Sequence, residues 1–222
     1  MTRTEHHVSN RNKLNVLLVD DHEVVRAGYR RLLEGTPDIA VIAEANSGEQ
    51  AYQDYFKYHP DVLVMDLSMP GMGGLEASMR ILAKDSSAKI LVFSVHENEV
   101  FLTRALDSGI SGYISKRSAS QVMIEAVRQV AAGSVYVGQE MMPYLVKRKT
   151  TPESGAVAGL TPREFEVFHL LADSKSVNDI AAILNLSPKT VGHHCTSVKK
   201  KLGVSDIAAL TRLAILMGVI TP

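Results

Sequence analysis

Five side chains in this sequence have the types and spacing to manage a phosphoryl group. Asp20 and Asp21 follow the apolar run Asn15 to Val19. Asp66 follows Val62 to Met65, Ser94 lies at the end of Ile90 to Val95, and Lys116 follows Gly112 to Ser115. Clustered carboxylates repel one another unless a cation sits among them, and hard oxygen ligands of this kind suit Mg²⁺. A carboxylate beside such a cation is a nucleophile toward phosphorus, and the product is an aspartyl phosphate. Ser94 offers a hydroxyl to a phosphoryl oxygen and Lys116 offers a point charge. Taken singly, each is what a turn or a cap often carries. The signal is their joint order: acid pair, acid, hydroxyl, lysine, each set at the end of a different apolar run.

The elements that must position these groups alternate strand and helix five times over about 120 residues. The strands read as Asn15 to Val19, Ile39 to Ala45, Val62 to Met65, Ile90 to Val95 and Gly112 to Ser115. Helical patterns follow each: His22 to Leu33, Ser47 to Tyr58 with Ser47 as N-cap, a stretch after Gly71, Gly73 and Gly74 to about Lys84, Val100 to Leu106, and Ala119 to Ala132. Continuous apolar strands are buried on both faces, which predicts a doubly wound, five-stranded parallel α/β sheet. Strands one and three are then neighbours, and all five groups fall at the carboxyl ends of strands, where such sheets place their sites.

After Gly133 this rhythm stops. Gly138 to Lys149 reads as a short helix and Thr150 to Gly155 as a polar, breaker-rich linker. The remainder is helical. Thr161-Pro162-Arg163-Glu164 is a capping box with proline in the first turn, and it opens a helix carrying Phe165, Phe168, Leu170 and Leu171. A second helix runs from about Val177 to Leu184, Ser187-Pro188 opens a third, and Asp206 to Met217 forms a fourth. The tight turn between the second and third predicts a helix-turn-helix. The domain reading is thus a tail over 1–12, an α/β domain over 13–133, a linker over 134–156 and an all-α helix-turn-helix domain over 157–222.

The third helix has two faces. Val191, Cys195, Val198 and Leu202 recur at helical spacing and face a core, so Cys195 reads as a small apolar side chain rather than a redox sensor. Lys189, His193, Thr196, Lys199 and Lys200 lie opposite, beside Thr190 in the first turn. Lysines there meet phosphates, and the shorter Thr196 and His193 reach base edges of double-stranded DNA. The last helix carries Ile207, Leu210, Leu213, Ala214 and Met217, more apolar surface than a small three-helix core needs, and ordinary packing against the first helix of the domain is the plain reading.

The whole chain of 222 residues has 24 basic and 24 acidic side chains, 45% hydrophobic residues and one cysteine. The neutral total conceals a partition. Residues 1–137 hold 14 Lys+Arg against 17 Asp+Glu, residues 138–155 hold 3 against 2, and residues 156–222 hold 7 against 5. One cysteine supports neither a disulfide nor a Cys-rich zinc site. No stretch reaches the roughly 18 apolar residues of a membrane span, and the polar start lacks the apolar core of a secretory signal. The expectation is a cytoplasmic protein.

Val19-Asp20-Asp21-His22, Met65 to Met72 and Gly112 to Lys116 resemble the motifs of bacterial receiver domains. Leu160 to Glu164 and Ser187 to Val191 resemble the LuxR-type helix-turn-helix. Together the chain resembles the NarL/FixJ family of two-component response regulators. The resemblance implies that Asp66 accepts a phosphoryl group from a sensor histidine kinase, and that Asp20, Asp21, Asp66 and the backbone carbonyl of Ser68 hold Mg²⁺. It further implies that Ser94 and Lys116 bind the phosphoryl oxygens, and that Tyr113, with Ser94, acts as a switch; apart from the resemblance, Tyr113 reads as a half-buried strand aromatic. A homodimer on DNA formed through the last helix, a change in promoter binding on phosphorylation, and no catalysis beyond the protein's own phosphoryl uptake and slow hydrolysis are also implied. His96 falls where the family tunes dephosphorylation; an exposed histidine without a role is the other reading.

One departure stands out: the family's lysine after Thr-Val is Gly192 here. It points to an altered target, a lower affinity, a close approach of backbone to DNA, or a second overall reading as a phosphotransfer or protein-binding switch with weakened DNA binding. A flavodoxin-like FMN enzyme is disfavoured, because acids stand where a phosphate-cradling loop belongs. The linker also allows the first domain to cover the recognition helix.

Overall fold

The computed structural model describes residues 13–97, 99–118, 120–148, 157 and 159–220. The tail over 1–12, the run Thr150 to Gly155 and the expected helix start at Ala119 lie outside the described residues. The α/β part contains β1 (Leu14–Val19), α1 (Glu23–Glu34), β2 (Ile39–Ala45), α2 (Gly48–Tyr58), β3 (Val62–Met65), α3 (Gly74–Lys84), β4 (Ile90–Ser94), α4 (Glu99–Asp107), β5 (Gly112–Ser115) and α5 (Ser120–Ala131). All strands pair in parallel, and β1 lies between β2 and β3 as the alternation requires. The Ser47 hydroxyl caps α2 by accepting from the Gln50 amide at 3.3 Å.

The sheet has one strand more than the apolar runs indicate. Gly133, at φ +86°, ends α5 in the left-handed region open to glycine. The chain then returns along β5 as β6 (Tyr136–Val137), with order β2-β1-β3-β4-β5-β6. A two-residue strand has no periodicity to read. A single 3₁₀ turn (Gln139–Met141) and α6 (Met142–Arg148) follow, and α6 packs on α4. Residues 136–148, read in the sequence as linker, thus extend the α/β body.

The helical part comprises α7 (Pro162–Ala172), α8 (Val177–Ile183), α9 (Pro188–Leu202) and α10 (Ile207–Leu216). Thr161 and Glu164 close the capping box of α7, Ser176 and Asp179 close another on α8, and Ser187 caps α9. Glu164 also binds α9. It accepts from the Ser197 hydroxyl and from Lys201 Nζ, each at 2.6 Å. Burial would raise the Glu164 carboxyl; Lys201 and Ser197 instead hold it down to about 2. Lys201 is therefore tied to Glu164 within the helical domain by an ion pair.

Two apolar layers cover the sheet. One holds Val16, Leu18, Phe93 and Ile114 against α1 and α5. The other begins with Leu17, Met65 and Val92, and continues through Phe101 and Phe165 into Val191, Val198 and Leu210 of the helical domain. The two domains thus share one continuous apolar cluster. None of the described helices is long and apolar enough to cross a membrane.

Candidate functional site

The carboxyl ends of β1 and β3 bring Asp20, Asp21 and Asp66 together. With His22, each offers a ligand atom within 4.8 Å of the others. Asp20 and Asp66 are each 1% exposed, so their charges need close compensation. Lys116, arriving from the end of β5, supplies it, with Nζ at 2.6 Å from Asp20 Oδ2 and 2.7 Å from Asp66 Oδ2. Burial pushes the Asp66 carboxyl up to about 6, against the pull of Lys116. For Lys116 the balance is reversed: burial lowers it, but Asp66 and Asp20 together hold it above the ordinary lysine value.

The donor set fits a hard divalent cation. Asp21 Oδ1 is buried without a hydrogen-bond partner among the described residues, although the His22 Nδ1 lies 2.9 Å away. A buried carboxylate oxygen that accepts no hydrogen bond, grouped with two further carboxylates, is what a cation would satisfy. The remaining oxygens are aimed by backbone amides. The Ser68 amide donates to Asp66 Oδ1 at 3.2 Å and the His22 amide to Asp20 Oδ1 at 2.9 Å.

Glycine is required next to the site. A Cβ on Gly74 would stand 1.8 Å from the carbonyl oxygen of Asp66. That absence of a side chain lets α3 start directly beneath the end of β3. We expect Gly74→Ala to cost about 2 kcal/mol, the order of overpacking a filled core, and to misplace Asp66. Urea denaturation would register the first effect and phosphoryl labelling the second.

Ser94, at the end of β4, is fully buried and its Oγ accepts from the His96 amide at 3.2 Å. Tyr113 is not half-buried: it is 0% exposed, and its hydroxyl donates to the His96 carbonyl at 2.7 Å. A strand position in a sheet covered on both sides has no solvent face to offer. His96 is not an exposed ring either. It stacks on Phe101 with centroids 4.0 Å apart and planes at 4°, meets His169 of α7 edge-on at 4.9 Å, and its Nε2 is 2.8 Å from the Ser68 hydroxyl. Burial, with His169 and Lys116 adding positive charge nearby, takes His96 down to about 3, so the ring is neutral at pH 7.

On α9, Val191 and Val198 are buried, whereas Cys195 and Leu202 are half-buried against the core. Burial raises the Cys195 thiol, which keeps it protonated and unreactive. Lys189, His193, Thr196 and Lys200 are exposed and Lys199 is half-exposed on the other side. Thr190 is partly spent on its own helix, since its hydroxyl lies 2.8 Å from Ser187 Oγ at the N-cap. A Cβ on Gly192 would meet nothing within 4 Å, so the protein's own packing does not require glycine there. The Thr196 hydroxyl donates back to the Gly192 carbonyl at 3.0 Å. On α10, Leu210 and Ala214 are buried, while Ile207 is 51% and Leu216 is 85% exposed.

Residues 16–128 match the response regulator receiver domain, and residues 158–214 match the bacterial regulatory proteins of the luxR family. The chain belongs to the response regulators that join these two domains. Response regulator UvrY of Escherichia coli K12 is 38% identical over 207 residues, covering 92% of this chain and 95% of UvrY. Response regulator GacA of Pseudomonas aeruginosa is 33% identical, covering 93% of this chain and 98% of GacA. Among solved structures, the RcsB response regulator of Salmonella typhimurium aligns with a TM-score of 0.67 at 30% identity, over 93% of this chain and 99% of that one. A DNA complex of RcsB, with two dimers on two parallel DNAs, aligns with a TM-score of 0.59 at 30% identity, over 90% of this chain and 97% of RcsB.

In this response regulator the domains dock through α4 and the loop after β3. Phe165 meets Phe101 edge-on at 4.8 Å. Arg104 donates to the carbonyls of Val157 and Leu160 at 2.8 and 2.7 Å and lies over the Phe165 ring. Arg163 donates to the Gly71 carbonyl, and the Gly71 amide to the Leu184 carbonyl at 3.0 Å. Glu166 packs over Gly73 beside Arg163, and burial pushes its carboxyl up to about 7. This docking leaves the basic side chains of α9 exposed, so the receiver grips the first helix of the effector domain rather than covering the recognition helix. Arg104 and His169 carry no motif that the sequence reading could have used, and Arg163 was read only as part of the motif that opens α7, not as a contact to Gly71. His22 stood inside the first motif but was not counted among the candidate ligands.

Proposed function

We propose that this response regulator takes a phosphoryl group on Asp66 and that the modified state alters dimerisation and promoter binding. The observation that carries this reading is the Asp66 carboxylate held at 2.7 Å by Lys116 beside a buried Asp21 oxygen that accepts no hydrogen bond. The Asp66 oxygen forms a bond to phosphorus as the bond from phosphorus to the donor breaks, and a sensor histidine kinase is the physiological donor. Asp20, Asp21, Asp66 and the Ser68 carbonyl hold Mg²⁺, which when bound neutralises charge on the phosphoryl oxygens. Lys116 then pairs with one of those oxygens and the Ser94 hydroxyl donates to another. Ser94 and Tyr113 act as the switch, a reading supported by the inward Tyr113 hydroxyl bonded to the His96 carbonyl. The protein is no enzyme beyond this self-directed uptake and slow hydrolysis, and it acts in the cytoplasm.

Input is assigned to the domain read over 13–133, extended by residues 136–148, and output to 157–222. In the output domain Lys189, Lys199 and Lys200 meet phosphates, Thr190 supports the first turn against the backbone, and His193 and Thr196 reach base edges. RcsB, seen as dimers on DNA, supports paired half-sites here, with exposed Ile207 and Leu216 of α10 as the apolar seam.

The test is acetyl phosphate with Mg²⁺ on the full chain. Expected are about one acid-stable, base-labile phosphoryl group per chain and tighter retention of DNA selected from a random pool by the phosphorylated protein. Labelling with no change in retention would favour instead the protein-binding switch, for which the missing lysine at Gly192 is the motivating feature.

A further inference from the structure

Between its lysines, the polar face of α9 has three positions that present three different things. At 192 there is no side chain. A Cβ there would meet nothing within 4 Å, so the protein's own packing leaves room for one, although glycine inside a helix is destabilising. At 193 stands an exposed imidazole, with ring nitrogens for hydrogen bonding. At 196 stands an exposed threonine whose hydroxyl donates to the Gly192 carbonyl at 3.0 Å. That hydroxyl has one proton, and it is spent on the protein's own helix. Helical side chains lean toward the preceding turn, which places Thr196 over the bare backbone at Gly192. What Thr196 has left for a partner is its γ-methyl and an oxygen that can only accept. Lys189 precedes this patch and Lys199 and Lys200 follow it, so the residues read as phosphate contacts lie on either side of it.

We propose that Thr196 determines specificity by selecting thymine: its γ-methyl packs against the C5-methyl of a thymine in the major groove, and the missing side chain at Gly192 lets that part of the helix approach the base closely enough for the two methyl groups to meet. The inference rests on the reading of α9 as the recognition helix. Of the four bases, only thymine shows an apolar group on its major-groove edge. Guanine shows acceptors there, which a hydroxyl without a free proton cannot satisfy. Adenine and cytosine show amine donors, but the Thr196 oxygen that could accept from them sits against the helix backbone, 3.0 Å from the Gly192 carbonyl oxygen. A long side chain at 192 would be the neighbour of Thr196 one turn away and would hold the base edge off. Glycine at this position therefore specifies an altered target, read by shape and apolar contact, rather than a lost one.

The test uses the full chain and the duplex it selects from a random pool, with uracil then substituted for thymine one position at a time. Uracil pairs as thymine does and lacks only the C5-methyl. For the parent, uracil at one thymine of a half-site is expected to weaken binding about fourfold, the order of burying one methyl group. Thr196→Val keeps a methyl and removes the oxygen, and it should retain that penalty. Thr196→Ser keeps the hydroxyl and removes the methyl, and it should bind the thymine and uracil duplexes alike. All three proteins should hold unrelated DNA equally and with one salt slope, because the lysines are untouched; this measurement separates lost reading from lost fold. A parent indifferent to uracil at every position overturns the proposal, as does a Thr196→Ser protein that keeps the penalty or a Thr196→Val protein that loses it. A parent that retains no duplex from the pool above unrelated DNA overturns the reading of α9 as recognition helix itself, a different outcome from selective binding that ignores the thymine methyl.

Discussion

Asp66→Asn should reduce phosphoryl uptake from acetyl phosphate to background, a fall of at least about a thousandfold, on the order of losing the nucleophile of a covalent step. The amide keeps the size and shape of the side chain but has no anionic oxygen to bond to phosphorus. The neighbouring acids are poor substitutes. Asp20 is buried with Oδ2 at 2.6 Å from Lys116 and Oδ1 on the His22 amide, and Asp21 is offset toward His22. The variant should also be no less stable than the parent near neutral pH. Burial raises Asp66 to about 6 despite Lys116, so its ionised form costs the native state free energy. A carboxyl raised on folding contributes fully only below its unfolded value near 3.8, and that contribution is lost as pH rises through about 6. Asparagine carries no such penalty, and Lys116 retains Asp20. The expected thermal midpoint without metal is therefore equal or higher at pH 7.5, with the difference vanishing in acid. Label persisting on the variant would remove Asp66 from the chemistry.

The second large effect concerns α9. Replacing Lys189, Lys199 and Lys200 together with glutamine should weaken DNA binding by about a hundredfold near physiological salt. It should also flatten the dependence of log affinity on log salt by about 0.9 for each lysine that neutralises a phosphate. The physical cause is counterion release, which acts alike on all sequences, so discrimination between selected and unrelated DNA should survive. Lys201→Gln is the contrasting case. Its Nζ is 2.6 Å from Glu164 Oε2, so that variant should lower the stability of the helical domain and leave the salt slope unchanged. A triple variant with the parent's slope, measured by fluorescence anisotropy across a salt series, would place the DNA surface elsewhere.

Much of the α/β body is legible because its signals are local. Apolar runs ending in Asp20, Asp66 and Ser94 mark strands that terminate in a site, and the boundaries of β3 follow from them directly. Thr161 to Glu164 and Ser187-Pro188 announce α7 and α9 through caps that need only four residues. β6 escapes because two residues carry no period, and it depends on Gly133 turning the chain back along β5. The fates of Lys199, Lys200 and Lys201 diverge although they are adjacent, because only Lys201 points at Glu164, 37 residues away. Tyr113 is buried inside the covered sheet and His96 is half-buried against Phe101 and His169, which no window around either residue records.

The sequence by itself determined the order of elements, the ends of the strands and hence the gathering of Asp20, Asp21, Asp66, Ser94 and Lys116 at one edge of a parallel sheet. Strand polarity and side-chain type suffice for that, since every parallel strand delivers its last residue to the same side. It also determined which face of α9 is polar, because helical periodicity does. Tertiary structure alone decided what pairs with what inside that gathering: Lys116 shared between two acids, one buried Asp21 oxygen left without a hydrogen bond, Tyr113 turned inward. It decided too that the effector domain docks by α7 against α4 and leaves the recognition face open. Those outcomes rest on contacts such as Arg104 with Leu160 and His96 with His169, which join residues more than 50 positions apart. Contacts of that range form only where surfaces meet in shape and charge, and such complementarity is a property of the folded chain.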